Sequence, residues 1–301
     1  MNDYKSDPHC KPAYTDCGIE PFDLILEGGA MRGLFTAGVL DVFMERHLCA
    51  QHVIGTSAGG LTGLNYVAGD HGRSCYLNTK YCTDWHYLSM KSFVHTGNAL
   101  GIDLMFDKIP NELDPMDYNA FFNSPMILTT VASNLDIGEA DYHTYQGVAE
   151  ELPYLVATAS VPLVSKIVTV DDMHLLDGGV CDSVPLMFSL MCGAHKQVII
   201  LTQHDGYVKR PNKLMALAST KYSDYPYFVE RMAHRHFEYN RIYRRIKRMQ
   251  AAGDIFVIRP ARPVTISSME SDPHKLMDLY NEGRKQAEAS WRPLLTYLGL
   301  A

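Results

Sequence analysis

The chain has 301 residues, 47% of them hydrophobic and 20% charged, with a formal net charge of −7. That length accommodates one large α/β domain with room for a small appended one, and the apolar content is ordinary for a packed globule. The negative balance argues against a general nucleic-acid binder, and no run reaches the ~18 uninterrupted apolar residues of a membrane span. Seven cysteines are scattered without a C-x-x-C pair, a pattern expected of reduced thiols in a cytoplasmic protein rather than of a disulfide framework. Met1 to Gly18 is polar and lacks the apolar core of a secretory signal. A cytoplasmic location is therefore expected, with peripheral membrane contact left open.

Residues 1–21 contain Pro8, Pro12 and Pro21 and little apolar pattern, which suggests a loosely packed arm. Phe22 to Leu26 reads as a short buried strand, followed at once by Glu27-Gly28-Gly29-Ala30-Met31-Arg32-Gly33. Phe35, Val39, Val42 and Phe43 then fall on one helical face. His52 to Ile54 is a second strand, Gly55-Thr56-Ser57-Ala58-Gly59 a tight turn, and Leu61 to about Ala68 the helix after it. Two helical pieces are expected between Arg73 and Lys91, and a long irregular excursion between Ser92 and Asn123, of the kind that covers a site or decorates a sheet edge. Pro125 to Ala132 is a buried strand with Asp141 to Tyr145 as its hairpin partner, and residues 147–159 are helical. Lys166 to Val170 and His174 to Leu176 form another hairpin, ending in Asp177-Gly178-Gly179. A helix near Val184 to Met191, a strand over Gln197 to Thr202, a basic helix over 226–250, a strand over Asp254 to Arg259 and a terminal helix from His274, one or two pieces broken near Pro293, complete the chain. Alternating strands and helices imply a mainly parallel sheet covered on both faces. Composition changes after His204, which suggests an arm over 1–21, a main domain over 22–205 and a mostly helical extension over 206–301 that completes or packs on the sheet.

Three motifs carry chemistry. Gly55-Thr56-Ser57-Ala58-Gly59 between a strand and a helix has the form of a nucleophile elbow, whose sharp turn lifts a serine hydroxyl clear of the sheet. The plain alternative is a glycine-rich turn with Ser57 capping the next helix. Gly28 to Gly33 opens a helix after a strand, where unpaired N–H groups and the helix dipole favour negative charge. As a phosphate cradle it lacks the Gly-Lys-Ser/Thr ending of a P-loop, and Ala30 breaks a dinucleotide fingerprint. As an oxyanion hole it lies one crossover before the elbow, so the two ends emerge side by side, and each such donor is worth about 2.7–4 kcal/mol in the transition state. Arg32 either braces this loop, faces a lipid phosphate, or is an ordinary surface arginine. Asp177, followed by Gly178 and Gly179, is either a turn or the base that takes the serine proton, if burial lifts its pKa. Among thirteen histidines, His204 at the end of a strand is the best placed alternative base.

Taken together and in this order, the three motifs resemble the patatin-like phospholipase family, and the chain is most similar to its bacterial members with an extra C-terminal region. Ala157-Thr158-Ala159-Ser160-Val161-Pro162 resembles that family's segment upstream of the aspartate, so the likeness extends over about residues 22–205. It implies a three-layer α/β/α sandwich, Ser57 as nucleophile, Asp177 as base, and hydrolysis of acyl esters of phospholipids or other glycerolipids with no metal or cofactor. The family commonly has a third glycine where this chain has Ala30, so the loop there either takes an ordinary conformation or bears strain. By the same likeness the amides of Gly29 and Ala30, with Ala58, hold the oxyanion. A thioesterase, an acyltransferase or a non-catalytic lipid-binding regulator would show the same residues. Arg241, Arg244, Arg245, Lys247 and Arg248, interleaved with Ile242, Tyr243, Ile246 and Met249, form a basic amphipathic helix. It either lies on anionic lipid or packs its apolar stripe on the core with a solvated basic face.

Overall fold

The computed structural model describes residues 18–146 and 151–301. Its elements in chain order are β1 (Ile19–Leu26), a 3-10 turn (Ala30–Arg32), α1 (Gly33–Glu45), β2 (Cys49–Thr56), α2 (Ala58–Val67), α3 (Arg73–Tyr81), α4 (Met90–Thr96), a π-helical segment (Leu104–Leu113) and α5 (Tyr118–Phe122). There follow β3 (Ile127–Asn134), β4 (Glu139–Thr144), α6 (Leu152–Ala159), β5 (Val168–Val170), β6 (Met173–Asp177), α7 (Leu186–Met191), β7 (Gln197–Ile200), α8 (Met215–Lys221), α9 (Pro226–Ala252), β8 (Phe256–Ile258) and α10 (Pro273–Leu298). Residues 1–17, most of the expected arm, and 147–150, the start of an expected helix, lie outside the described residues. Ile19 to Pro21 belong to β1 rather than to an arm.

The sheet runs β5-β6-β3-β2-β1-β7-β8, with β4 on the other edge of β3. Pairs from β3 through β2, β1 and β7 to β8 are parallel, while β4, β5 and β6 add antiparallel pairs at one end. Phe22 to Leu26 is buried without interruption because helices cover both faces. Leu24 and Leu26 join α1 and α10 in one cluster, and Ile25 joins α7 and α9 in another. The result is the expected three-layer α/β sandwich with a helical C-terminal region. All of α1 from Gly33 to Met44 is buried, because α10 covers the side that the sheet does not.

Three expectations change. The stretch from Ser92 to Asn123 is not irregular: α4, the π-helical segment and α5 occupy most of it, and the wide turn coincides with Pro110, which cannot donate a helical hydrogen bond. Of the two helical pieces expected between Arg73 and Lys91 only α3 lies within those bounds, the next helix, α4, beginning at Met90, while α10 continues through Pro293 as a single helix, one of the two forms expected. Cys49 is disulfide-bonded, whereas Cys75, Cys82, Cys181 and Cys192 are free. On α9 the apolar stripe of Ile242, Tyr243, Ile246 and Met249 packs into the core, and Arg241, Arg244, Arg245, Lys247 and Arg248 are exposed.

Candidate active site

The site arises from how two strands share one edge of β3. Along that edge β2 pairs with Ile127 to Val131, ending at Thr56 opposite Val131. Antiparallel β6 takes over at the next residue, with Asp177 opposite Ala132. Two chain ends thus meet head to head, one carrying Ser57 and the other Asp177. The Ser57 hydroxyl donates to Asp177 Oδ2 at 2.5 Å. Both residues are buried, at 8% and 7% exposure.

Ser57 has φ 55° and ψ −125°, a conformation that costs a non-glycine residue roughly 1–3 kcal/mol. Its surroundings hold it there. The Ser57 amide donates to Thr158 Oγ1 at 2.9 Å, and that hydroxyl donates to the Val131 carbonyl at 2.5 Å. The flanking glycines are demanded by contact: a Cβ at Gly55 would sit 2.6 Å from Gly59 C, and one at Gly59 would sit 2.5 Å from the Leu26 carbonyl oxygen. Backbone therefore passes backbone at the elbow, and no side chain fits.

Asp177 is braced as closely. The Gly179 amide donates to Oδ1 at 2.7 Å, the Asp177 amide donates to the Ser160 carbonyl at 2.8 Å, and Ser133 Oγ donates to the Asp177 carbonyl at 2.9 Å. Gly178 lies against β3, where a Cβ would come within 2.2 Å of the Val131 carbonyl oxygen. Burial pushes the Asp177 carboxyl above the ordinary carboxylate range, against the hydrogen bonds of Ser57 and Gly179 and the charges of Arg235 and Lys209, which pull it down. A carboxylate so raised is a better proton acceptor than an exposed aspartate.

The glycine loop lies alongside. Gly28 abuts the elbow, with its Cβ position 3.1 Å from Ser57 Cβ, and Gly33 abuts Ala58. The Gly28 amide donates to the Ser183 carbonyl, the Arg32 amide to the Gly29 carbonyl and the Gly33 amide to the Ala30 carbonyl. Among the described residues no acceptor takes the amides of Gly29 or Ala30. Ala58, first in α2, has no intrahelical acceptor either. Of the five loop residues singled out from sequence, two thus keep amides free for a ligand. Ala30 adopts φ 47°, so the loop bears strain where a third glycine is common.

Among the described residues the candidate histidine makes no hydrogen bond to Ser57 or Asp177: His204 packs edge-on to Tyr207, with ring centroids 6.2 Å apart, and its buried Nδ1 has no partner. Thr158, Ser160 and Ser133 carried no individual sequence signal, although the first two lie in the Ala157–Pro162 run. Glu27 carries no individual sequence signal either. Buried directly before the loop, it accepts from the Thr202 amide at 2.6 Å, the Thr202 hydroxyl at 3.1 Å, the Tyr243 hydroxyl at 2.8 Å and the Tyr239 hydroxyl. Beside Ser57 opens a cavity of about 620 Å³ with a mainly apolar lining that includes Met31, Leu34, Leu61, Leu77, Phe106 and Phe121.

A strand-end serine and aspartate, a glycine loop with free N–H groups and an apolar cavity thus meet at one sheet edge, and the sequence comparison gives the class. The chain belongs to the patatin-like phospholipase family, whose profile matches residues 24–189, and this places it among lipid acyl hydrolases at the level of the family. Residues 225–299 match a second profile, a domain of unknown function, DUF6363. The protein YjjU of Escherichia coli (strain K12) is 25% identical over 277 residues, covering 87% of this chain and 74% of YjjU. The crystal structure of VipD from Legionella pneumophila aligns over 90% of this chain and 66% of that one, at 12% identity and a TM-score of 0.44. Among the described residues no helix is long and apolar enough to cross a membrane.

Proposed function

We propose that the protein releases fatty acid from phospholipids or other acyl lipids, with Ser57 as nucleophile and Asp177 as its base. The observation that carries this reading is the 2.5 Å bond between Ser57 Oγ and Asp177 Oδ2 at the edge of an apolar cavity. Asp177 takes the hydroxyl proton as Oγ attacks the ester carbonyl, and the developing oxyanion is held by the amides of Gly29 and Ala30 with that of Ala58. The alcohol leaves with the proton from Asp177. Water, deprotonated by the same carboxylate, then releases the fatty acid and restores Ser57. The acyl chain occupies the cavity, and residues 22–205 supply the chemistry while 206–301 complete the layers around it. The exposed basic face of α9 offers contact with an anionic membrane surface.

Ser57→Ala and Asp177→Asn should each abolish release of p-nitrophenol from p-nitrophenyl esters of medium-chain fatty acids. A fluorophosphonate probe should label Ser57 in the wild type alone among its serines. Wild-type turnover in either variant, or a folded protein that the probe leaves unlabelled, would remove the assignment.

A further inference from the structure

Several lysines and arginines pair with a carboxylate. Arg231 pairs with Glu139, Lys247 and Arg259 with Asp205, Arg284 with Glu45, and Lys80 with Asp114. Three others gather beside the Ser57–Asp177 pair without one. Arg32, on the 3-10 turn after the glycine loop, has a buried Nε with no hydrogen-bond partner. Arg235, on α9, donates through Nε to the Gly179 carbonyl, and its Nη2 lies 3.0 Å from the Cβ position of Gly179. Lys209 is tied to α9 through Asn240, by bonds of 2.8 Å at its amide and 3.0 Å at its carbonyl, and its Nζ stands 4.6 Å from the centroid of the Tyr239 ring. Among the described residues none of the three makes an ion pair.

Like charges do not collect in a partly buried place without cost. Burial, then the charges of Arg235 and Arg32, pull the Lys209 ammonium down to about 7, and burial also lowers Arg235. The nearest acids are already engaged: Glu27 accepts from Thr202, Tyr239 and Tyr243, and Asp177 from Ser57 and Gly179. Two guanidinium forks and an ammonium with spare donors match the oxygens of a phosphate group, which would relieve their mutual repulsion. None of the three lines the apolar cavity. The Asp177 carboxylate stands between, with Oδ2 toward Ser57 and Oδ1 toward Gly179, where Arg235 sits.

We propose that Lys209 and Arg235, brought by the C-terminal segment to Arg32, form a binding site for the phosphate group of an acyl lipid. The inference rests on the hydrolase reading above for its substrate. It gives that substrate an orientation: acyl chain in the cavity, ester at Ser57, phosphate on the α9 side. The C-terminal region then contributes selectivity as well as packing.

The test separates binding from turnover. Calorimetric titration of the Ser57→Ala protein with sn-glycerol 3-phosphate should show binding, and Lys209→Met should weaken it at least tenfold while Lys209→Arg restores it. In the active protein the kcat/KM ratio for dihexanoyl phosphatidate over dihexanoylglycerol should exceed ten and fall at least tenfold in Lys209→Met, whatever loss both substrates share. Arg235→Gln should act in the same direction, and circular dichroism checks that each variant is folded. Absence of glycerol phosphate binding, or binding unmoved by Lys209→Met, overturns the site. If inorganic phosphate competes through Lys209 but the substrate ratio is unmoved, the site serves free phosphate and the lipid assignment falls. Intact, Lys209-dependent binding with neither lipid hydrolysed would uphold the anion site and refute the hydrolase reading instead.

Discussion

Tyr243→Phe removes one oxygen and should reveal how α9 governs the catalytic loop. The Tyr243 hydroxyl donates at 2.8 Å to Glu27 Oε2, on the residue that directly precedes Gly28. Both side chains are buried, so water does not replace the lost partner. Hydrogen bonds to charged groups contribute about 1.5–3 kcal/mol. Glu27 keeps the Thr202 amide, the Thr202 hydroxyl and Tyr239, so the carboxylate is not orphaned, and the lower end, about 1.5–2 kcal/mol, is expected. In a Glu27→Gln background the same change should cost less, with a coupling of about 1 kcal/mol or more because the two groups touch. Urea unfolding followed by far-UV circular dichroism and by fluorescence would measure both, provided the two transitions coincide. The fluorophosphonate labelling rate of Ser57 adds a readout of loop geometry, and it should fall in both single variants. A Tyr243→Phe cost within about 0.5 kcal/mol of zero, the range of ordinary surface changes, would refute this reasoning, as would strict additivity with Glu27→Gln.

Three further outcomes follow from the site. Ala30→Gly removes the positive-φ penalty of about 1–2 kcal/mol but loosens the unfolded chain by about 0.4–1 kcal/mol, so a net gain of roughly 0.5–1 kcal/mol is expected in urea unfolding; a loss of stability would mean that Ala30 packing outweighs strain. Because burial raises the Asp177 pKa, its basic form is reached only above the ordinary carboxylate range, and kcat/KM should rise with pH through that higher window. The stability sign is opposite: the native state holds the proton more tightly than the unfolded chain, so stability falls as pH rises between the two pKa values, and Asp177→Asn should lose that decline. An ester-hydrolysis profile already flat at pH 4, or an unchanged stability slope in the variant, would count against a buried, raised carboxyl.

The parts of the site that were legible in the sequence are those set by local chain geometry. Gly55, Ser57 and Gly59 announce a backbone-on-backbone turn, and the runs at Phe22 to Leu26 and Gln197 to Thr202 announce strands buried on both faces. What joins Ser57 to Asp177 is sheet order, namely that β6 enters antiparallel on the edge of β3 where β2 stops. No periodicity records that. Thr158 was invisible as an individual residue for the same reason: its role depends on α6 lying over Val131. Glu27, Lys209 and Arg235 are charged residues that read as surface until α9 closes over β1 and β7. The excursion from Ser92 to Asn123 reads as irregular because its prolines and glycines mark breaks, yet the pieces between them are long enough to coil.

Whether the C-terminal region is an accessory or a structural layer is decided at one helix crossing. The two family profiles, over 24–189 and 225–299, divide the chain, but the core does not follow that division. Leu276, Ala287 and Leu294 of α10 are fully buried in the same cluster as Phe35 and Val39 of α1 and Leu24 of β1. The approach depends on two glycines: a Cβ at Gly38 would sit 2.1 Å from the Tyr280 carbonyl oxygen, and one at Gly283 would sit 2.1 Å from the Phe35 carbonyl oxygen. Both obstacles are helix backbone, which cannot rotate aside. Gly38→Ala or Gly283→Ala must therefore push α10 outward, and even a gap of ~0.5–1 Å forfeits a quarter to a half of each van der Waals contact it opens. Overpacking of this kind typically costs about 1–3 kcal/mol, and with the whole α1–α10 seam displaced the upper end or beyond is expected. Gly18→Ala, whose Cβ would meet nothing within 4 Å, is the control. Urea midpoints and soluble yield measure the effect. Should Gly38→Ala and Gly283→Ala match the control, the seam is not backbone to backbone, and α10 would be a cover that the catalytic layers can shed.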